Sequence, residues 1–133
     1  DVTAKDFWDN FATLTLGSFD RLSVDFEGDA PQLVARRPGG ALVGVAGMSE
    51  GTRDQLYLAL RLAAVELHLG QGRPLPFVAD DLFINYDDMR AAAGFEALAD
   101  LASRTQVIFL THHEHLVSVA RAALGEEVNV IVL

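Results

Sequence analysis

The stretch MSEGTRDQLYLALRLAAVELHLGQ, residues 48–71, constrains the chain most, because a short polar, glycine-containing turn feeds straight into its longest helical pattern. Leu56, Ala59, Ala63 and Leu67 recur at three- and four-residue spacing, the repeat of one helix face. Ser49 is a suitable N-cap, and Glu50 and Asp54 lie near the positive end of the helix dipole. By itself the turn fits an ordinary helix start. Its chemistry depends on residues 75–88 and 106–115.

The hydrophobic period changes at about Gly47, from two before it to about 3.6 after it. TAKDFWDNFATL, residues 3–14, reads as the tail of a helix with Phe7, Trp8, Phe11 and Leu14 on its apolar face. FDRLSVDF (19–26), QLVAR (32–36) and ALVGVA (41–46) then read as three strands of an antiparallel meander, the last two joined through Arg37, Pro38, Gly39 and Gly40. Behind the long helix, LPFVA (75–79) and QVIFLT (106–111) read as buried strands. Helices are expected from Asp87 to Ala102 and from Glu114 to Leu124, with VNVIVL (128–133) as a last strand. Strand and helix in alternation predict an α/β lobe whose parallel sheet carries its functional residues at the carboxyl ends of the strands. Asp80, Asp81 and His112 all fall on that edge.

Composition narrows the partners. Of 133 residues, 19 are acidic and 10 basic, a net charge of -9, which argues against a wide nucleic-acid surface on this segment. There is no Cys, so disulfides, Cys-ligated zinc and thiol nucleophiles drop out, in keeping with a reducing compartment. No run approaches the roughly 20 apolar residues of a membrane span, and the start has no signal-peptide pattern. The chain has no initiating Met, and it is expected to be a processed or excised piece.

Adjacent acids after a hydrophobic strand suit phosphate and magnesium chemistry, since one carboxylate can hold a hydrated cation while the next orients or deprotonates water. A His closing the neighbouring strand can hydrogen-bond a phosphoryl oxygen or the attacking water. Histidines 112, 113 and 115 have no HExxH pattern or Cys partner, so the sequence gives a metal reading no support. Ser49 and Gly51 do not make the GxSxG of a hydrolase nucleophile.

In succession, SEGTRDQ, LPFVADDLFINYD and VIFLTHHEHL resemble the C-terminal half of an ABC-type ATPase head, in the branch of SMC, RecN and RecF proteins. The nearest resemblance is to YhaN-like coiled-coil ATPases. It implies the C-terminal lobe of a P-loop NTPase head: residues 1–16 end a coiled-coil arm, 17–47 form the small antiparallel region, and 48–133 form the lobe with the signature helix, Walker B strand and switch.

The same resemblance implies the site. Met48, Ser49, Glu50, Gly51 and Thr52 fall on the signature motif, flanked by Arg53 and Gln55, and Ser49 and Gly51 would contact the γ-phosphate of ATP on an opposite head. Asp80 would act on Mg²⁺ through water, Asp81 would be the catalytic carboxylate and His112 the switch histidine. Asn85, Tyr86 and Asp87 fall on the D-loop, with Asp87 helping to tie two heads together, and His113 would be structural or support its neighbour His112. Glu50 stands where the wider family has Gly, and Asp81 where most relatives have Glu, so slow hydrolysis is expected.

No GxxxxGK[ST] occurs in these residues. The resemblance places that loop in an N-terminal half beyond a coiled coil. The expected partners are that half and a second head in an ATP-dependent homodimer, with DNA acted on by a cytoplasmic parent in DNA repair or chromosome maintenance. This fragment alone is expected to be inactive. The alternative is an ATP-dependent dimerisation scaffold with little or no hydrolysis.

Overall fold

The computed structural model describes residues 9–133. The chain divides into two compact units, Asp1–Ala64 and Val65–Leu133.

In the first unit, residues 9–14 are helical (α1), with Phe11 and Leu14 buried. Phe7 and Trp8 lie outside the described residues. The helix closes through Leu16 and Gly17, whose φ angles of 54° and 76° reverse the chain. Three antiparallel strands follow, β1 (Arg21–Asp25), β2 (Gln32–Arg36) and β3 (Leu42–Gly44), in that spatial order. Their register sets Leu22 opposite Ala35, and both are buried. Gly39 and Gly40, each at φ 100°, make the hairpin turn that residues with a Cβ rarely adopt. Arg36 pairs with Asp20 at 2.8 Å, and that hydrogen bond, then the charge, raises the guanidinium pKa.

The meander is as expected, but its third strand is shorter. Val45–Gly47 form a 3-10 turn, with Met48 N–H donating to the Val45 carbonyl at 3.1 Å, so the chain is already turning toward the helix where alternation predicted strand. Helix α2 (Glu50–Gly70) buries Leu56, Leu58, Ala59, Leu62 and Ala63. A buried Leu is worth roughly 1.5–3 kcal/mol in apolar transfer, so this face dominates the helix energetics. Leu67, expected on the same face, is exposed. Gln55 is fully buried and its Nε2 donates to the Leu14 carbonyl at the end of α1.

The second unit contains the end of α2, β4 (Phe77–Asp80), α3 (Asp88–Ala102), β5 (Val107–Leu110) and α4 (Glu114–Leu124). β4 and β5 pair in parallel, Phe77 opposite Val107 through Asp80 opposite Leu110. Helix α3 packs on α4 and on β5. The core is aromatic: Phe83 contacts Tyr86, Phe95 and Phe109 at centroid distances of 4.9, 5.0 and 5.3 Å. Gly94 on α3 leaves room for the Phe83 ring, three of whose atoms lie 2.5–3.0 Å from where a Cβ would be.

Two strand expectations are corrected here. β4 and β5 were expected to be buried strands, yet Val78, Ile108 and Leu110 are 55%, 37% and 45% exposed, so one face of the sheet is left open among the described residues. Residues 128–133 form no strand. A strand needs a neighbour for its backbone, and among the described residues β4 and β5 pair only with each other. The segment therefore leaves Ile131, Val132 and Leu133 exposed. Glu114–Leu124 matches its expected bounds, and Gly125 at φ 58° ends it.

Candidate functional site

Parallel pairing carries β4 and β5 to a common carboxyl edge, where Asp80 ends β4 and Asp81 follows it. The Asp81 N–H donates to the Leu110 carbonyl at 2.8 Å, extending the ladder by one bond. Asp81 then adopts φ 52°, a left-handed conformation that Asp tolerates better than most residues. The turn separates the two acids: Asp80 is exposed at the strand end, whereas Asp81 is half-buried.

Residues 111–113 close on Asp81 from the neighbouring strand. Thr111 Oγ1 donates to Asp81 Oδ1 at 3.2 Å and accepts from the His113 N–H at 3.0 Å. His112 Nδ1 lies 3.3 Å from Asp81 Oδ2, and His113 Nε2 lies 3.7 Å from Oδ1. The two imidazoles lie 4.1 Å apart between centroids, tilted by 36°. The geometry thus joins Asp81 and His112, which the sequence proposed together, and adds Thr111 and His113. His115 is not part of this group; its Nε2 meets Asp88 Oδ1 at 2.7 Å.

The resemblance implied that His113 is structural or supports its neighbour His112. As N-cap of α4 it makes no side-chain cap bond, and its ring is turned to Asp81 instead. The signal that could have found it was the His-His pair closing a strand parallel to one closed by two acids.

Asp87 is the N-cap of α3, its Oδ1 accepting from the Arg90 N–H at 2.9 Å. In the first unit, Ser49 Oγ accepts from the Thr52 N–H at 3.2 Å and lies 2.9 Å from Thr52 Oγ1, so Ser49 caps α2 as its sequence position suggested. If Thr52 donates its hydroxyl proton to Ser49, the Ser49 O–H is left to donate outward. Thr52 itself is buried, Gly51 and Arg53 are half-buried, and Glu50 is exposed on the first helical turn. The Thr52 and Arg53 N–H groups are both taken by Ser49, so what this turn offers an anion is the positive end of the helix dipole.

No protein-family model matches the chain. Over 115 residues, 86% of the chain, it is 31% identical to the uncharacterized protein YhaN of Bacillus subtilis (strain 168), of whose length it spans 11%. It superposes on a structure solved in work on ATP-driven dimerization and DNA-stimulated activation of SMC ATPases, with TM-score 0.69 and 20% identity over 90% of this chain and 72% of that one. An SMC head with an extended coiled coil, bound to the C-terminal domain of ScpA and derived from Pyrococcus furiosus, gives TM-score 0.67 and 18% identity over 90% of this chain and 30% of that one. The SMC head domain from Thermotoga maritima gives 0.63 and 22% over 93% and 41%.

Proposed function

We propose that this chain, homologous to YhaN and folded as an SMC/RecN-like, ABC-type ATPase head, is the C-terminal half of an ATP-hydrolysing head. The half works when joined to a half that carries a phosphate-binding loop, and then when two heads close around ATP. The observation that carries this reading is the edge where Asp80 and Asp81 end one parallel strand and His112, 3.3 Å from Asp81, follows the next.

Asp80 is suited to a magnesium ion: a hard cation takes oxygen donors, and this carboxylate is exposed at the strand end. Bound there through water, Mg²⁺ would neutralise phosphate charge. Asp81, held by Thr111, would orient and deprotonate the attacking water, and its proton would pass to the carboxylate. His112 would donate to a terminal phosphoryl oxygen. Ser49 and Gly51, at the start of α2, would contact the γ-phosphate of ATP held by the opposing head. Glu50, Thr52 and Arg53 would flank that contact, Thr52 acting through its bond to Ser49. Asp87 would tie the two heads together.

The parent would be a cytoplasmic coiled-coil protein of DNA repair or chromosome maintenance. Among the described residues, no helix is long and apolar enough to cross a membrane. A relative is described by ATP-driven dimerization and DNA-stimulated activation, and the same behaviour is proposed for the parent of this chain. An ATP-dependent scaffold is the second reading. It is favoured by one observation: the residue at the catalytic position is Asp81, a carboxylate one methylene shorter than Glu.

ATP hydrolysis by the reconstituted two-half head decides between them. Turnover lost in Asp81→Asn supports the ATPase. Persistent ATP-bound dimers without turnover in either protein would establish the scaffold instead. Normal turnover by this chain alone would overturn the half-head reading.

A further inference from the structure

We propose that Asp81, His112 and His113 form a binding site for a late first-row divalent metal of the Zn²⁺ class, separate from the hydrated magnesium position assigned to Asp80. One ligand atom from each of the three lies within 4.8 Å of the others. The sequence offered only histidines without a partner; the parallel register supplies the carboxylate, 31 positions before His112.

The spacing is that of ligands around an ion. Two donors each about 2.05 Å from Zn²⁺ at the tetrahedral angle stand about 3.3 Å apart. His112 Nδ1 stands 3.3 Å and His113 Nε2 3.7 Å from the Asp81 carboxylate oxygens. Both exceed the 2.7–2.9 Å of a charge-assisted hydrogen bond, so the three groups surround a point more than they bond one another. Two imidazoles and one carboxylate make a mixed donor set that suits zinc, cobalt or nickel better than magnesium, and they leave an open position on the solvent side.

The group is also held in place. Asp81 is fixed by its backbone bond to Leu110 and by Thr111 Oγ1, and the same hydroxyl accepts from the His113 N–H. A hydroxyl bonded to a ligating carboxylate is the kind of support that orients metal ligands. The surroundings favour a cation: Asp80 precedes Asp81, Glu114 follows His113, and the chain carries a net charge of -9. His113 leaves α4 without a side-chain cap while its ring faces the carboxylate.

This site shares Asp81 and His112 with the proposed ATPase chemistry but does not depend on nucleotide, and it is tested without any. Zn²⁺ is titrated calorimetrically into the metal-free chain, and Co²⁺ is followed by its visible absorption. One equivalent is expected, with the intense bands of four- or five-coordinate cobalt and shifted NMR signals from the rings of His112 and His113. His113→Ala and Asp81→Asn are each expected to weaken binding at least tenfold with unchanged far-ultraviolet circular dichroism, while His115→Ala binds as wild type. Absence of stoichiometric uptake, full affinity in His113→Ala, or equal loss in His115→Ala would overturn the site, the last marking adventitious surface binding. Failure of ATP turnover in the reconstituted head would leave these readouts unaffected, so the two proposals fail separately.

Discussion

Thr111, one residue past β5, donates from Oγ1 to Oδ1 of Asp81, one residue past β4, at 3.2 Å. The bond crosses from one parallel strand end to the other and fixes the carboxylate that the ATPase reading needs. Thr111→Val keeps the shape and removes the donor. A hydrogen bond to a charged group is worth roughly 1.5 kcal/mol, so turnover by the reconstituted head should fall about tenfold, with the KM for ATP little changed. Steady-state hydrolysis assays read both, and unchanged turnover would mean that Asp81 is oriented by other contacts.

Gly94 and Phe83 make a second close relationship. A Cβ on residue 94 would meet Phe83 ring atoms at 2.5, 2.7 and 3.0 Å. That ring is buried against Tyr86, Phe95 and Phe109, and its backbone sits at φ 72°, so it has little room to move. Overpacking costs about 1–3 kcal/mol, offset by up to about 1 kcal/mol from Ala over Gly in a helix. Gly94→Ala should therefore lose about 1–2 kcal/mol in urea unfolding, and combining it with Phe83→Leu should be less than additive.

Gln55 lies beside Leu56 and Ala59 in the buried part of α2 and is itself wholly buried. Its Nε2 satisfies the Leu14 carbonyl, while Oε1 has no hydrogen-bond partner among the described residues. Gln55→Ala removes the donor, orphans the carbonyl and opens a cavity. Together these should cost about 2–4 kcal/mol, read as a lower urea midpoint at unchanged slope.

Much of this was legible in the sequence, and what was not has a physical cause. Gly125 and the 3.6-residue period defined α4, and the strand-helix order anticipated the parallel pairing of β4 with β5. Period alone could not show that residues 128–133 lack a neighbour, because a strand is a property of a pair. Nor could it show that Gln55 turns inward, since its partner is the Leu14 carbonyl. His112 was legible from its place at a strand end. The turn of the His113 ring toward Asp81 depends on register and on the Thr111 hydroxyl, neither of which a linear pattern encodes.

Asp87 has two tasks that substitution can separate. Its carboxylate caps α3, and Asn caps a helix about as well as Asp. Asp87→Asn should leave stability within about 0.5 kcal/mol, whereas Asp87→Ala should lose about 1 kcal/mol. If the charge ties two heads together, both variants should weaken ATP-dependent dimerisation, as measured by analytical ultracentrifugation. Dimerisation that follows stability alone would reduce Asp87 to a cap.

Glu50 sets two effects against each other. It is exposed on the first turn of α2, where a negative charge stabilises the helix by about 0.3–1 kcal/mol, and Gly there adds a backbone cost of up to about 1 kcal/mol. Glu50→Gly should therefore lower the unfolding free energy by about 0.5–1.5 kcal/mol. The same carboxylate would stand beside the phosphates of ATP on the opposing head. Two like charges about 4 Å apart in water repel by about 1 kcal/mol, so the less stable variant should form ATP-bound dimers about fivefold more tightly. The gain should shrink as salt rises, because the repulsion is between exposed charges. A variant that loses stability and dimer affinity together would place Glu50 away from the nucleotide and return the start of α2 to an ordinary helix cap.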